Sequence, residues 1–496
     1  MQRAGAAAAH ELVLHFGDAL RAGVVVATGP GNNGGDGWVV AHALHAAGIT
    51  ARVVECVAAR TPDAIAERDA AIGAGVAVHD DIGALTSDGE AVVVDALLGT
   101  GLDGAAPLRD NVAVAVERLG ALRARGARIV ALDLPTGIDA STGRDAGAVP
   151  ADLTITFGTI KRGHLVARGA CGAITVVDIG LGAHARAAAE AMQLVTPRWF
   201  AESLPRIASD AHKGTRKKIV IVGGASGMAG ATMLAARAAL RSGAGMVKCV
   251  VAPESLGAVQ EGEPAALAAP WPSDDASLRA TISDWADAVL IGPGLGATNA
   301  RTLVTRVLES WRGPVVLDAD ALNAFANDVG ALTKLLGGRA ALLTPHPAEF
   351  GRLTNRSVSA VLDERFDAPT KLAQSLAATV LLKGVPTVIA APDGTRRVVA
   401  EGTPMLATGG SGDMLGGIAA TLLAQTGDAP RAAALAAFAH GRAAFAVSAR
   451  TVRGFTLDDV MLALPSVWSL GTGAPRPPVL AELPAVGEPD LLEMPT

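Results

Sequence analysis

The residues of this chain whose types and spacing could do chemistry are densest in Ala407-Thr408-Gly409-Gly410-Ser411-Gly412-Asp413-Met414-Leu415-Gly416-Gly417. Glycines, a hydroxyl and one carboxylate stand there directly ahead of an apolar stretch, Ile418 to Ala424, that reads as a helix. A helix start leaves amide N–H groups without partners and carries a partial positive charge, and glycines let an anion come close to both. A carboxylate beside an anion hole is repelled by bound phosphate, so Asp413 makes sense there as the acceptor of a proton from an attacking hydroxyl. That is a phosphoryl-transfer arrangement. The plainer reading of one such stretch is a glycine-rich cap with Asp413 steadying the first turn. The stretch does not stand alone.

Apolar runs in the second half read as strands over Lys218 to Val222, Val247 to Val251, Ala288 to Ile291, Pro314 to Leu317, Ala341 to Leu343 and Val380 to Leu382. Their carboxyl ends carry Gly223 to Ala231, Gly292-Pro293-Gly294-Leu295-Gly296, Asp318-Ala319-Asp320, Thr344-Pro345-His346-Pro347 and Lys383-Gly384. A short β-meander over Val385 to Thr403 precedes the Gly409 stretch, and helices over Gly412 to Thr426 and Arg431 to Ala449 follow. In the first half, Val24 to Thr28 leads through Gly29-Pro30-Gly31-Asn32-Asn33-Gly34-Gly35-Asp36-Gly37 into a helix from Trp38 to Ala47. Strand, glycine loop, helix is a phosphate-binding order, although the loop is neither GxGxxG nor GxxxxGK[ST]. Further strands read at Ala51 to Val57, Ala91 to Asp95, Arg128 to Asp133, Leu153 to Phe157 and Ala173 to Val177. Asp95 leads into Gly99-Thr100-Gly101-Leu102-Asp103-Gly104, Asp133 into Pro135-Thr136-Gly137, and Phe157 into Lys161-Arg162-Gly163-His164. Ligands bind beyond the carboxyl ends of such strands, and several polar, glycine-rich ends on one edge argue for a site. His42 and His45 share a helix face without a third donor and are set aside as structural.

At 496 residues the chain exceeds one ordinary core, and about 100 to 200 residues per domain favours two large domains. Half the residues are apolar, yet aromatics are 3% and tyrosine is absent, so the cores must be built from Ala, Val, Leu and Ile. That suits helices packed closely on parallel strands. A net charge of −6 leaves no basic surface for nucleic acid or anionic lipid. Cys56, Cys171 and Cys249 are scattered without zinc or disulfide spacing, which points to a reducing cytoplasm. No apolar run approaches the roughly 20 residues of a membrane span. The irregular, Pro-containing segment from Val195 to Arg216 reads as the boundary between domains.

The second half resembles the ribokinase-like superfamily, whose members end in a GxGD anion hole. Within it, Ser226-Gly227-Met228-Ala229-Gly230-Ala231, Ile291 to Gly296, Leu317-Asp318-Ala319-Asp320-Ala321-Leu322-Asn323, Thr344-Pro345-His346-Pro347-Ala348-Glu349-Phe350 and Gly409 to Asp413 are similar to the NAD(P)H-hydrate dehydratases. The first half is similar to the NAD(P)H-hydrate epimerase domain through Gly29 to Gly37, Val94 to Gly104 and Asp133 to Asp139. The whole resembles the bifunctional NAD(P)H-hydrate repair enzymes. The resemblance implies an α/β protein with an N-terminal Rossmann-like three-layer α/β/α domain over 1–200 and a C-terminal ribokinase-like α/β domain over 211–470. A disordered Pro-rich tail over 471–496 is expected after them.

In activity, the resemblance implies epimerisation of hydrated NADH and NADPH, then dehydration coupled to hydrolysis of ADP or ATP with Mg2+. Lys383, Gly384, Val385, Pro386 and Thr387 would border the nucleotide, with Gly409, Gly410, Ser411 and Gly412 at its phosphates. Ala231, Gly294, His346 and Asp413 would line the hydrated nicotinamide nucleotide, with Asp413 as base. In the first half Asn32, Asn33, Gly34, Gly35, Asp36, Gly99, Thr100, Gly101, Leu102, Asp103, Gly104 and Asp133 would hold the same substrate. Asn33, Asp95 and Thr136 would hold K+, and Asp133 and Lys161 would form the acid/base pair of the epimerase. A cytoplasmic homo-oligomer is expected, with no nucleic-acid or membrane partner. Three departures stand out: Met228 replaces a frequent aromatic, Thr403-Pro404-Met405-Leu406 replaces a run nearer Asn-Pro-Gly-Met, and Met1-Gln2-Arg3-Ala4-Gly5 resembles sequence that follows the family's first helix. The competing readings are a vitamin or sugar kinase, and a first half that is a non-catalytic binding or scaffolding module.

Overall fold

The computed structural model describes residues 1–87, 89–102, 104, 106–181, 191–449, 453–469 and 478–486. The chain divides into two compact units, Met1–Ala189 with Ala474–Gly487, and Glu190–Gly473 with Glu488–Thr496.

In the first unit, β1 (Val24–Thr28), β2 (Ala51–Glu55), β3 (Ala77–His79), β4 (Val92–Ala96), β5 (Arg128–Leu132), β6 (Leu153–Phe157) and β7 (Ala173–Val177) pair in parallel in the order β7-β6-β5-β4-β1-β2-β3. The chain therefore winds outward from β1 in both directions, which opens a crevice at the carboxyl ends of β1 and β4. Side chains alternate across the sheet: Val24 and Val26 join Trp38 in one apolar core, and Val25 and Ala27 join Leu119 in another. Helices on both faces make three layers. The helix after β1 begins at Asn32 and runs to Ala46, so Asn33 to Gly37 form its first turns instead of the expected loop. Glycine costs helix propensity, but here closeness decides. A Cβ at Gly34 would lie 2.0 Å from the Gly29 carbonyl oxygen, and one at Gly37 would lie 2.6 Å from the Ala96 methyl.

The second unit contains β8 (Gln193–Leu194), β9 (Lys218–Val222), β10 (Met246–Val251), β11 (Leu267–Pro270), β12 (Ala288–Ile291), β13 (Val315–Leu317), β14 (Ala341–Leu343), β15 (Thr379–Leu382), β16 (Thr387–Ala390) and β17 (Arg396–Val399). Their order is β11-β10-β9-β12-β13-β14-β15-β16-β17-β8, with only β16 antiparallel to its neighbours. Ile219 and Ile221 face the Ala-rich helices Ser411–Thr426 and Ala429–Ser448, while Val220 and Val222 face the opposite core. Small residues bring the helix Ser411–Thr426 close to the helix Ala229–Arg241: a Cβ at Gly417 would lie 2.0 Å from the Ala235 carbonyl oxygen. The helix Pro197–Ser203 belongs to this unit, because Phe200 is fully buried in its core and stacks on Phe438 with ring centroids 4.5 Å apart. The boundary therefore falls at Ala189, not near 200, and a piece beginning at Ala211 lacks β8 and Phe200.

Of the tail expected to be disordered, residues 478–486 are ordered, and 471–477 and 487–496 lie outside the described residues. β18 (Val479–Leu483) adds antiparallel to β7 and extends the first unit's sheet. The Asp178 amide donates to the Pro478 carbonyl at 2.7 Å, the Arg168 guanidinium donates to the Pro484 carbonyl, and Leu483 is buried. An exposed strand edge recruits any segment that can complete its ladder, and the prolines on either side of Val479–Leu483 do not prevent this. Deleting 471–496 is expected to destabilise the first unit by on the order of 2 kcal/mol, from Leu483 burial and the lost ladder. Faster hydrogen exchange at the β7 amides would reveal it; unchanged exchange there would mean that the strand contributes no protection.

Candidate functional site

Each unit gathers polar residues where its strands end. In the second unit a cavity of about 560 Å³ lies beyond β13, β14 and β15. It is lined by Asp318, Ala319, His346, Glu349, Lys383, Gly384, Val385 and Thr387 on the strand side. Gly410, Ser411, Gly412 and Asp413 line it from the start of the helix Ser411–Thr426. Lys383 Nζ donates to Asp318 Oδ1 at 2.8 Å and lies 3.7 Å from Glu349 Oε2. Burial opposes its charge, yet the Asp318 and Glu349 carboxylates outweigh that and hold Lys383 above its usual range. His346 Nδ1 accepts from the Ala348 and Glu349 amides and caps the helix Pro347–Thr354, and Glu349 returns a carboxylate to the His346 amide at 2.9 Å.

Asp413 stands opposite Lys383. Burial, with the Asp318 charge adding to it and Lys383 offsetting part, raises its carboxyl to about 7. No side chain caps the helix that begins at Ser411; the Ser411 amide donates to the Thr408 carbonyl at 3.2 Å, which leaves the Gly412 and Asp413 amides of the first turn for a ligand. A Cβ at Gly412 would approach Lys383 Nζ to 3.3 Å, so a glycine keeps the lysine and the helix start together. Ala319, between two aspartates, holds φ +48, a left-handed conformation that a non-glycine residue adopts only when its surroundings enforce it. Among the residues singled out from sequence, Pro386 and Gly409 are absent from the cavity lining. Ala231 and Gly294 lie outside it too, meeting at the β9 and β12 ends, where the chain reverses its winding and the Ala225 amide donates to the Gly294 carbonyl at 2.7 Å.

In the first unit Asn33, Asp36, Asp95, Asp133, Thr136 and Lys161 all stand on the carboxyl edge of the sheet. Asp95 Oδ1 accepts from Thr136 Oγ1 at 2.7 Å and Oδ2 from the Thr136 amide at 2.8 Å, and burial raises the Asp95 carboxyl. Both polar atoms of the Asn33 amide are buried without a hydrogen-bond partner among the described residues, as is Thr28 Oγ1. Asp133 holds φ +64, and its carboxylate receives Lys161 Nζ and, at 3.0 Å, Thr156 Oγ1. Lys161 Nζ also reaches Thr156 Oγ1 at 2.7 Å and the Phe157 carbonyl at 3.1 Å. Gly99 closes over them: a Cβ there would lie 3.2 Å from Asp133 Oδ2 and 3.4 Å from the Asn33 side chain. Asp36, close enough to feel the Asp133 and Lys161 charges, is raised to about 7, chiefly by burial. Asn32, Thr100 and Gly101 are exposed, and Asp103 lies outside the described residues.

Reasoning from sequence passed over Asp318 and Glu349 as site residues, although both stand inside motifs it singled out. It also passed over His440, fully inside the Ala-rich helix and 3.4 Å from Ser411 Oγ. A polar ring interrupting a run of alanines was the available signal.

Parallel sheets with polar residues at their carboxyl strand ends, and a second unit in which an uncapped helix start meets a half-buried lysine and a half-buried aspartate, define an α/β enzyme with a ribokinase-like domain. The NAD(P)H-hydrate dehydratase family profile matches residues 219–466, and the profile described as YjeF-related protein N-terminus matches 1–163. The bifunctional NAD(P)H-hydrate repair enzyme of Moorella thermoacetica is 35% identical over 494 residues, covering 94% of this chain and 91% of that one. The enzyme of the same name from Escherichia coli is 34% identical, covering 94% and 88%. The crystal structure of the ADP/ATP-dependent NAD(P)H-hydrate dehydratase of Bacillus subtilis, co-crystallised with ATP/Mg2+, superposes with a TM-score of 0.50 at 28% identity, covering 56% of this chain and 98% of that one. The chain belongs to the family of bifunctional NAD(P)H-hydrate repair enzymes. No helix among the described residues is long and apolar enough to cross a membrane.

Proposed function

We propose that this chain repairs hydrated NADH and NADPH. The first unit interconverts the R and S epimers, and the second dehydrates the S form while ADP is split to AMP and phosphate. The observation that carries the second activity is Asp413, a half-buried carboxyl raised to about 7 beside an uncapped helix start and facing Lys383. Asp413 takes the proton of the ring hydroxyl as that oxygen bonds to the terminal phosphorus of ADP and the bond to AMP breaks. The Gly412 and Asp413 amides at the helix start and the Lys383 ammonium neutralise charge on the phosphoryl group in flight. The phosphorylated oxygen then leaves as phosphate, pushed by the ring nitrogen's lone pair, and loss of a ring-carbon proton restores the reduced nicotinamide. Magnesium carried by the nucleotide would neutralise its phosphate charge, with Asp318 and Glu349, which pair with Lys383, as the nearest hard oxygen donors of the cavity. The three buried, unpaired cysteines support a reducing, cytoplasmic setting.

Incubating the protein with ADP and hydrated NADH is expected to regenerate the absorbance of the reduced nicotinamide. The base must be unprotonated to act, so the rate should rise as pH passes about 7, following Asp413. A phosphorylated product that retains the phosphate would instead indicate a kinase.

For the first unit, Asp133 and Lys161 are the acid/base pair and the Gly99 loop closes over the substrate. Asn33, Asp95 and Thr136 fit a K+ ion: the donors are hard oxygens, and the buried Asn33 amide lacks a hydrogen-bond partner among the described residues. Such an ion would orient the loops and balance the substrate's phosphate charge. Replacing Na+ by K+ is expected to raise the first unit's melting temperature by several degrees, and Asn33→Leu to abolish that difference. Equal K+ stabilisation of both proteins would rule out Asn33 as a ligand.

A further inference from the structure

His164 is fully buried on the short helix Arg162–Val166. Both of its ring nitrogens are engaged by main-chain atoms of the two residues read as the epimerase's acid/base pair. The Lys161 amide N–H donates to His164 Nδ1 at 3.0 Å, and His164 Nε2 lies 2.6 Å from the Asp133 carbonyl oxygen. An amide can only donate and a carbonyl can only accept, so the proton sits on Nε2 and the ring is neutral. Burial, reinforced by the Lys161 charge, lowers the imidazole to about 4, consistent with that neutral form. The charged groups around the ring are Lys161 on its own turn, Asp133 at the end of β5 and Arg168 on the next helix.

Asp133 needs such a restraint. It holds φ +64 without being a glycine, and its side chain reaches the site only because the backbone takes that turn. The segment carrying Lys161 follows β6, and nothing covalent ties it to Asp133, 28 residues earlier. A leucine at 164 would fill the same volume but would leave the Asp133 carbonyl and the Lys161 amide without this partner in a buried place.

We propose that His164 is a positioning residue for epimerisation, a neutral imidazole that ties the Asp133 backbone to the Lys161 backbone and so fixes the carboxylate and ammonium against each other at the substrate. It does not touch the substrate, and its role rests on the reading of Asp133 and Lys161 as the reacting pair.

The test compares His164→Leu, His164→Gln and Lys161→Met in the full chain, with dehydration of the S epimer as an internal control for folding of the second unit. His164→Leu is expected to lower the epimerase kcat at least tenfold while KM stays within about twofold. His164→Gln, whose amide can present both an acceptor and a donor, is expected to recover most of that loss. Nitrogen-15 shifts of the wild-type ring at neutral pH should show protonated Nε2 and unprotonated Nδ1, a readout that does not depend on any variant folding. A ring protonated on Nδ1, or a leucine variant with wild-type kcat, overturns the inference. So does a glutamine variant no faster than the leucine variant at equal thermal stability. Wild-type epimerisation in Lys161→Met would sink the underlying reading of the pair, whereas a slow Lys161→Met beside a normal His164→Leu sinks the positioning role alone.

Discussion

Asp413→Asn is expected to bind ADP as the wild-type protein does and to lose most of its dehydration rate. The amide preserves the size of the side chain and the helix start at Ser411, so the anion hole and Lys383 keep their places. It cannot accept the hydroxyl proton. Loss of a general base costs about a hundredfold to ten-thousandfold in rate, and that range is the expected fall in turnover, with nucleotide affinity within about threefold of wild type. Stability should move the opposite way. The carboxyl is raised in the folded state, so the folded protein holds a proton that the unfolded chain has released, and the stability that this proton lends is lost as pH rises from about 4 through about 7. The asparagine variant carries no such dependence and is expected to be the more stable protein at pH 8. Near-normal turnover in the variant would transfer the role of base to another group; equal melting temperatures at pH 8 would mean that the carboxylate is better solvated or paired than its surroundings indicate.

Lys161→Met separates the two activities. Lys161 Nζ bonds to the Asp133 carboxylate, Thr156 Oγ1 and the Phe157 carbonyl, and methionine keeps the length of the stem while removing every one of those contacts. Asp133 is then left buried without its lysine partner, and the partner proton donor is deleted. Epimerisation is expected to fall about a hundredfold or more. A mixture of R and S hydrates makes the effect visible: the wild-type protein with excess ADP converts all of it, while the variant stops near the S fraction and continues only as fast as the epimers interconvert unaided. An unbroken time course in the variant would remove Lys161 from the reaction.

Much of this was legible in the chain. Continuous apolar runs such as Val24 to Thr28 and Lys218 to Val222 marked strands buried on both faces, as a parallel sheet covered on both sides requires. The residues ending those strands marked the site edge, because parallel strands share one direction and bring their carboxyl ends together. Less legible was where glycine-rich stretches stop being loops. Asn33 to Gly37 are helical, and the missing side chains of Gly34 and Gly37 admit Gly29 and Ala96, a tertiary contact that no local propensity encodes. The tail failed for the same reason: Pro478 and Pro484 signalled disorder, while the unpaired edge of β7, hundreds of residues away, made Val479–Leu483 a strand.

The sequence by itself determined the chemistry on offer: a carboxylate behind GlyGlySerGly, a lysine ending a strand, and an aspartate ahead of Pro-Thr-Gly. These depend on which residues follow one another. Only the tertiary structure decided which groups face each other and in what charge state. Asp413 is raised because burial disfavours its charge and segments bearing Asp318 and Glu349 converge on it, against the partial offset of Lys383, and Asp133 meets Lys161 through a turn held open at φ +64. Electrostatic interaction falls with distance through space and is strengthened where water is excluded, and neither quantity is written along the chain.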